Sequence, residues 1–281
     1  MLNTSVLPLA LLTLTPTSVS VAGDAEHKEI ERAVLDYAES YYEVNTSYVE
    51  RSIHPDLAKI GYVLHEGQWA THPMDYDGFM GMVTWHRDNE RVPDPGPKEV
   101  VVLDAMDQTA LVQLTGSWGI DYMHLARFDG RWQTRHVVWQ TVPVKRPAEE
   151  IEKDRKAVER AARNYLDGLY EARPELIDKS VHADLVKLGF ARKSSAEEYR
   201  HKPMTQKELV ALARKRMKEG YEVPADAPRE VEVLGVMDRV ACVKLTATWG
   251  VDYMNLTKED DGAWMIRQVI WQTVPAEVPG R

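Results

Sequence analysis

The ten residues Gly116-Ser117-Trp118-Gly119-Ile120-Asp121-Tyr122-Met123-His124-Leu125 constrain this chain more than any others, because they recur as Ala247-Thr248-Trp249-Gly250-Val251-Asp252-Tyr253-Met254-Asn255-Leu256. Each copy leads through an Asp-Gly turn into a second aromatic strand. These strands end in Trp139-Gln140-Thr141-Val142-Pro143 and Trp271-Gln272-Thr273-Val274-Pro275. Trp118 and Trp249 lie 131 positions apart (249 minus 118), a period far too long for a solenoid unit and of the right size for a whole domain. A chain of 281 residues is therefore expected to fold as two like domains, each long enough to bury its own core.

The copies align through their other elements. Ile30, Val34, Tyr37, Ala38 and Tyr41 fall on one face of a helix predicted over 29–43, and Val158, Ala161, Ala162, Tyr165, Leu166 and Leu169 repeat that face over 156–171. A short second helix follows, with Thr46 as its expected cap in the first copy and Pro174 in its first turn in the second. The pair Ile53 to Tyr62 and Val181 to Phe190 keeps its His, Asp, Leu, Lys and Gly, and reads as a helix exit and first short strand. A third helix starts at Asp75, and again at Thr205, where Thr205 and Glu208 spell a capping box. Proline-rich loops come next. Three strands then close each copy, with Ala110, Val112, Leu114, Gly116 and Trp118 alternating with polar residues as in a half-buried antiparallel sheet.

The formal net charge of −9, with acids and bases mixed along the chain, argues against nucleic acid as a partner, since that requires a clustered basic surface. The single cysteine, Cys242, rules out an internal disulfide and any cysteine-based metal motif, and its place in a predicted strand makes it a small buried residue. No histidine spacing supports a metal site from His54, His124 and His136, and no metal or cofactor is expected. Residues 1–23 read as a cleaved signal peptide. Val6 to Val21 is uncharged, and the small residues Ser20 and Ala22 precede a cleavage point at Gly23 or Asp24. A periplasmic or secreted protein without a membrane span follows from that reading.

Several residues are candidates for chemistry. His54 with Asp56, and His182 with Asp184, are suited to acid–base work in a pocket, and equally to holding a turn. Asp121 is the second catalytic candidate, as a buried general base, with a turn-forming role as the alternative. Tyr37, Tyr41, Trp118, Tyr122 and Trp139, with Tyr165, Trp249, Tyr253 and Trp271 in the second copy, are suited either to stacking on a flat ligand or to filling the core. His124 and His136 become Asn255 and Gln268, which reads as a first pocket still active beside a drifted second one, or as drift at solvent-facing positions.

The amphipathic first helix ending in Tyr-Glu, the His-Pro-Asp or His-Ala-Asp after the second helix, and the Asp-Tyr-Met-x-Leu strand leading to Asp-Gly-x-Trp together resemble the putative lumazine-binding family of the nuclear transport factor 2-like superfamily. The resemblance covers nearly all of 27–143 and 152–275. It implies an α+β fold: two tandem cone-shaped domains (27–143 and 155–275, joined by a linker at 144–154), each a curved antiparallel sheet wrapped around three helices with a pocket between. Such cones host isomerases, dehydratases, cyclases, ligand binders and dimerisation modules, so the fold alone selects none of these. The expectation is an exported, non-catalytic binder of a small molecule, folded as an intramolecular pseudo-dimer that leaves further homo-oligomerisation open. The alternatives are an enzyme acting on a small organic substrate through His54 or Asp121 in the first pocket, and a structural module with filled pockets.

Overall fold

The computed structural model describes residues 23–142, 144–194 and 197–274, so the expected signal peptide lies outside the described residues. The first domain runs α1 (Asp24–Tyr42), α2 (Thr46–Ser52), β1 (Ile53–His65), β2 (Gln68–Met74), α3 (Tyr76–Asp88), β3 (Glu99–Ala105), β4 (Thr109–Gly116), β5 (Gly119–Phe128) and β6 (Arg131–Gln140). The second repeats it as α4 (Ala148–Tyr170), α5 (Pro174–Ser180), β7 (Val181–Ala191), β8 (Arg200–Met204), α6 (Gln206–Glu219), β9 (Glu230–Val236), β10 (Val240–Ala247), β11 (Gly250–Lys258) and β12 (Trp264–Gln272).

Each sheet has six strands, ordered β2-β1-β6-β5-β4-β3 and β8-β7-β12-β11-β10-β9. The sheet is mixed rather than purely antiparallel. β1 lies parallel to β6, and β7 parallel to β12, because each joins the far side of the closing meander. The strand after the second helix is also much longer than its motif suggested, with 13 residues in β1, and it turns back into a partner, β2, that the sequence pattern did not reveal.

Local signals account for most helix boundaries. Thr205 and Glu208 close a capping box at α6, and the Asp75 side chain caps α3 by accepting from the Gly78 amide at 2.8 Å. At α2 the cap is Asn45, which accepts from the Ser47 amide, rather than Thr46. Pro174 opens α5 as expected. The segment from Ala148 to Asp154, read as linker, already belongs to α4.

Three apolar clusters hold the protein together. One lies between helices and sheet in each domain, built in the first from Ile30, Val34, Tyr37, Val112, Leu114, Met123 and Val137 among others. The third lies between the two sheets, where Tyr62, Leu111, Tyr122 and Val138 meet Phe190, Cys242, Tyr253 and Ile270. The layers are therefore helices, sheet, sheet, helices, and fusion has made the sheet-to-sheet contact internal.

That contact keeps a two-fold pattern. Gln140 Oε1 accepts from the Arg239 amide at 2.8 Å while its Nε2 donates to Asp238 at 2.9 Å. Reciprocally, Gln272 Oε1 accepts from the Gln108 amide at 3.1 Å and its Nε2 donates to Asp107 at 2.6 Å. The repeated Trp-Gln thus faces two ways, with the tryptophan toward the helices and the glutamine toward the other domain.

Candidate functional site

The concave side of the first sheet carries a small cavity of about 150 Å³, lined by Tyr37, Tyr41, Lys59, Met74, Phe79, Met82, Trp118 and Trp139. Strand alternation decides which candidates reach it. Asp121, Met123 and Leu125 point toward the helices, while Tyr122 and His124 point to the opposite face.

Two glycines shape the wall. Gly119 has φ +141°, and a β-carbon there would stand 1.9 Å from the Gln140 carbonyl oxygen, so only glycine lets the β4–β5 turn close this tightly. Behind that turn, Trp118 Nε1 donates to Asp121 Oδ2 at 3.1 Å. Gly61 leaves room for Trp139 to lie across β1, since a β-carbon at 61 would meet Trp139 Cε2 at 2.0 Å.

Lys59 forms the floor. It is almost completely buried, donates to the Tyr37 hydroxyl at 2.6 Å, and stands 3.6 Å from Asp121 Oδ1. Its ammonium also lies over the rings of Trp139, at 5.1 Å, and Tyr37, at 5.4 Å. Burial pulls the Lys59 ammonium below its ordinary value of 10.5, with Asp121 acting the other way. Burial raises Asp121 above 3.8 against the pull of Lys59 and Trp118, and it carries the Tyr37 phenol well above 10, with Asp121 adding to that rise. An ammonium has three donors, and Lys59 spends one on Tyr37 while Asp121 stands beyond hydrogen-bond distance, which leaves donors for a ligand.

The second domain repeats the group. Lys187 donates to the Tyr165 hydroxyl at 2.8 Å and stands 3.4 Å from Asp252, which accepts from Trp249 Nε1 at 3.0 Å, and its ammonium lies over the Trp271 ring at 5.3 Å. The surrounding wall differs, because Leu169, Leu209 and Leu212 occupy the places of Tyr41, Phe79 and Met82.

The structure thus gathers Tyr37, Tyr41, Trp118 and Trp139 around one cavity with Asp121 behind its floor, and it sets the equivalent Tyr165, Trp249 and Trp271 around Lys187. Other candidates lie elsewhere. His54 packs on Phe128 at 4.1 Å between ring centroids, and its Nδ1 accepts from the Asp56 amide. His182 makes the same local bond to the Asp184 amide. Tyr122 rests over Gly235, and Tyr253 donates to Asp104 at 2.7 Å across the domain interface.

His124 and His136 are neither solvent-facing nor in the cavity. Both are fully buried at the interface with Nδ1 atoms 3.3 Å apart, and Asn255 and Gln268 form the matching hydrogen-bonded pair at 3.0 Å. Burial drives His124 down to about 3 and His136 well below 6.5.

Lys59 is the cavity residue that the sequence pattern did not single out. Its signal was a lysine kept in both copies inside the apolar runs Leu57-Ala58-Lys59-Ile60 and Leu185-Val186-Lys187-Leu188.

A sequence profile for the family described as "Putative lumazine-binding" matches residues 25–140 and again 153–272. The chain belongs to this family. Among solved structures, an NTF-2 like protein of unknown function from Silicibacter pomeroyi is 15% identical, with 42% of this chain and 98% of that one covered and a TM-score of 0.35. A ketosteroid isomerase-like protein from Erwinia carotovora atroseptica is 17% identical, with 46% and 100% covered and a TM-score of 0.32. An NTF2-like protein of unknown function from Pseudomonas putida is 13% identical, with 45% and 92% covered and a TM-score of 0.33. Each covers less than half of this chain, the span of a single domain, and likeness at this level bears on nothing beyond the fold. No curated protein matches the chain.

Proposed function

We propose that this member of the putative lumazine-binding family binds a small planar heteroaromatic molecule in its first domain, in an exported protein whose second domain is mainly architectural. The observation that carries the reading is the Lys59 ammonium at the floor of a cavity otherwise walled by aromatic rings and methionines. Flat apolar walls select a flat ligand, and the spare Lys59 donor selects a carbonyl or carboxylate oxygen at its inner end. An apolar cavity of this size holds a benzene-sized group. A bicyclic ligand would therefore extend past the half-buried rim of Tyr41, Met74 and Met82. Asp121 is not part of the cavity wall and Lys59 is, which favours binding over proton abstraction by that carboxylate.

The test pairs native with denaturing mass spectrometry and a titration of tryptophan fluorescence with lumazine, a flat bicycle with carbonyl acceptors. The expected results are quenching that Trp118→Phe reduces, and a mature N-terminus near Gly23. Absence of quenching by both lumazine and 2-naphthoate at millimolar concentration would remove the binding reading. An intact Met1 would remove the export reading.

A further inference from the structure

The first domain holds a carboxylate of its own at a place where the second domain has none. A groove in the first domain runs between α1 and the β5–β6 turn, with Lys28, Arg32, Asp36, Arg51 and Arg131 on its walls and Glu29 at its rim. Asp36 is fixed there by two guanidinium groups. Arg32 Nε donates to it at 2.9 Å, and Arg51 donates through both Nε and Nη2 at 2.6 Å. This is strong, charge-assisted recognition of a carboxylate.

The same groove recurs between α4 and the β11–β12 turn, with Lys153, Lys156, Arg160, Asn164 and Lys179 on its walls and a volume of about 450 Å³. Arg160 and Lys179 take the places of Arg32 and Arg51, Asn164 that of Asp36, and Ala157 that of Glu29. Three of the four cations remain, with Ala263 in the place of Arg131, and both acids are gone. Among the described residues, Lys153, Arg160 and Lys179 make no hydrogen bond or ion pair, and Lys156 has only the exposed Glu152 at 3.6 Å. Glu175, which also feels the charge of Lys179, is hydrogen-bonded by Arg173 at 2.9 Å, and the other nearby carboxylates are committed elsewhere. Asp154 is held by Arg146, Lys258 and Trp264, and Glu159 by Arg163.

We propose that this second-domain groove binds a small, multiply charged anion, with one carboxylate or phosphate group of the ligand standing where the Asp36 carboxylate stands in the first domain. Exposed charge pairs are individually weak and screened by salt, so several anionic groups on one molecule are needed. Asn164→Asp supplies the missing carboxylate from within the second groove, whereas in the first groove Arg32 is held by Glu39 as well as by Asp36.

Isothermal titration calorimetry of the full chain with pyrophosphate and with citrate, at ionic strength held constant with sodium chloride, tests the proposal. The expected result is one site for at least one of the two anions, weakened threefold or more by Asn164→Asp. The tighter of the two anions identifies the group as phosphate or carboxylate. Asn164→Asp is nearly isosteric and gives Arg160 a partner, so a circular dichroism melt of that variant is expected to match the wild type. No binding of either anion, or binding that Asn164→Asp changes less than threefold, would overturn the proposal.

Discussion

Lys59 Nζ stands 3.6 Å from Asp121 Oδ1 in the first domain, and Lys187 Nζ stands 3.4 Å from Asp252 in the second. Both partners of each pair are buried. Removing one member of such a pair strands a charge at a cost of about 3–5 kcal/mol, whereas replacing both can be close to neutral. Lys59→Met is therefore expected to destabilise the protein by roughly 3 kcal/mol, and Lys59→Met with Asp121→Asn to recover more than half of that loss. Urea unfolding followed by circular dichroism measures both. Recovery of less than a quarter would mean that the pair does not act as a unit.

The buried pair of His124 and His136 sets an acid limit on stability. Burial holds His124 at about 3 in the folded protein, against an ordinary value of 6.5, and His136 is lowered in the same direction. The unfolded chain binds protons below about pH 6.5 that the folded chain refuses, so the full stability is present above 6.5 and declines as the pH falls toward 3. From pH 7 to pH 5, His124 alone is expected to cost about 2 kcal/mol, with His136 adding to it. Substituting the second domain's own residues, His124→Asn and His136→Gln, should flatten this slope. Unfolding free energies at pH 5, 6 and 7 check it, and an unchanged slope in the double variant would refute it.

Gly61 and Trp139 predict a packing effect. A β-carbon on Gly61 would overlap the Trp139 indole, with Cε2 at 2.0 Å, so Gly61→Ala must push the ring off β1. Overpacking of this kind costs about 1–3 kcal/mol, and here it also disturbs one wall of the cavity. The expected signs are a lower melting temperature and a shift in tryptophan emission. Gly189→Ala should do the same through Trp271, which would lie 2.1 Å from the new carbon. A melting temperature unchanged within one degree would show that the ring relocates freely.

Gln140 and Gln272 couple the domains. Each exchanges hydrogen bonds with the β-turn of the other domain, through Asp238 and Arg239 or through Asp107 and Gln108. Truncating either to alanine leaves the half-buried amide of Arg239 or Gln108 without its acceptor, at about 1 kcal/mol per site. The double variant Gln140→Ala with Gln272→Ala is expected to split one calorimetric transition into two, as the domains lose their cooperative contact. A single transition at the wild-type temperature would place the coupling entirely in the apolar cluster.

How far the sequence revealed this architecture depended on how local the signal was. The capping box at Thr205 and the amphipathic faces of α1 and α4 lie within a few residues, and the structure matches them. β2 was hidden because its burial is slight and alternation there is weak, so only its pairing with β1 makes it a strand. The aromatic wall of the site was legible as a set of rings at repeated positions. Its floor was not, because Lys59 is polar within an apolar run and gains meaning only from Asp121, which lies far along the chain on β5. His124 was misplaced for a related reason. Its strand has two faces, and in a fused pair the face turned away from the helices is covered by the second domain instead of water.

The difference between the two cavity walls yields the most direct prediction about binding. Tyr41, Phe79 and Met82 line the first cavity, and the second domain has leucine at all three equivalent positions around the same Lys–Asp–Tyr–Trp group. If the tetrad alone bound a ligand, the domains would behave alike. If the aromatic wall selects the ligand, then Tyr41→Leu, Phe79→Leu and Met82→Leu together should shift lumazine-dependent quenching to higher concentration while the fold persists, because leucine is the residue the second domain already tolerates there. Stacking on an aromatic side chain contributes about 0.5–1.5 kcal/mol beyond area burial, so loss of two rings should weaken binding by roughly tenfold to a hundredfold. Fluorescence titration of the triple variant, with its melting curve as the folding control, measures this. A folded variant that binds as tightly as the wild type would assign recognition to the Lys59 group alone, and would make the second domain an equal binding site.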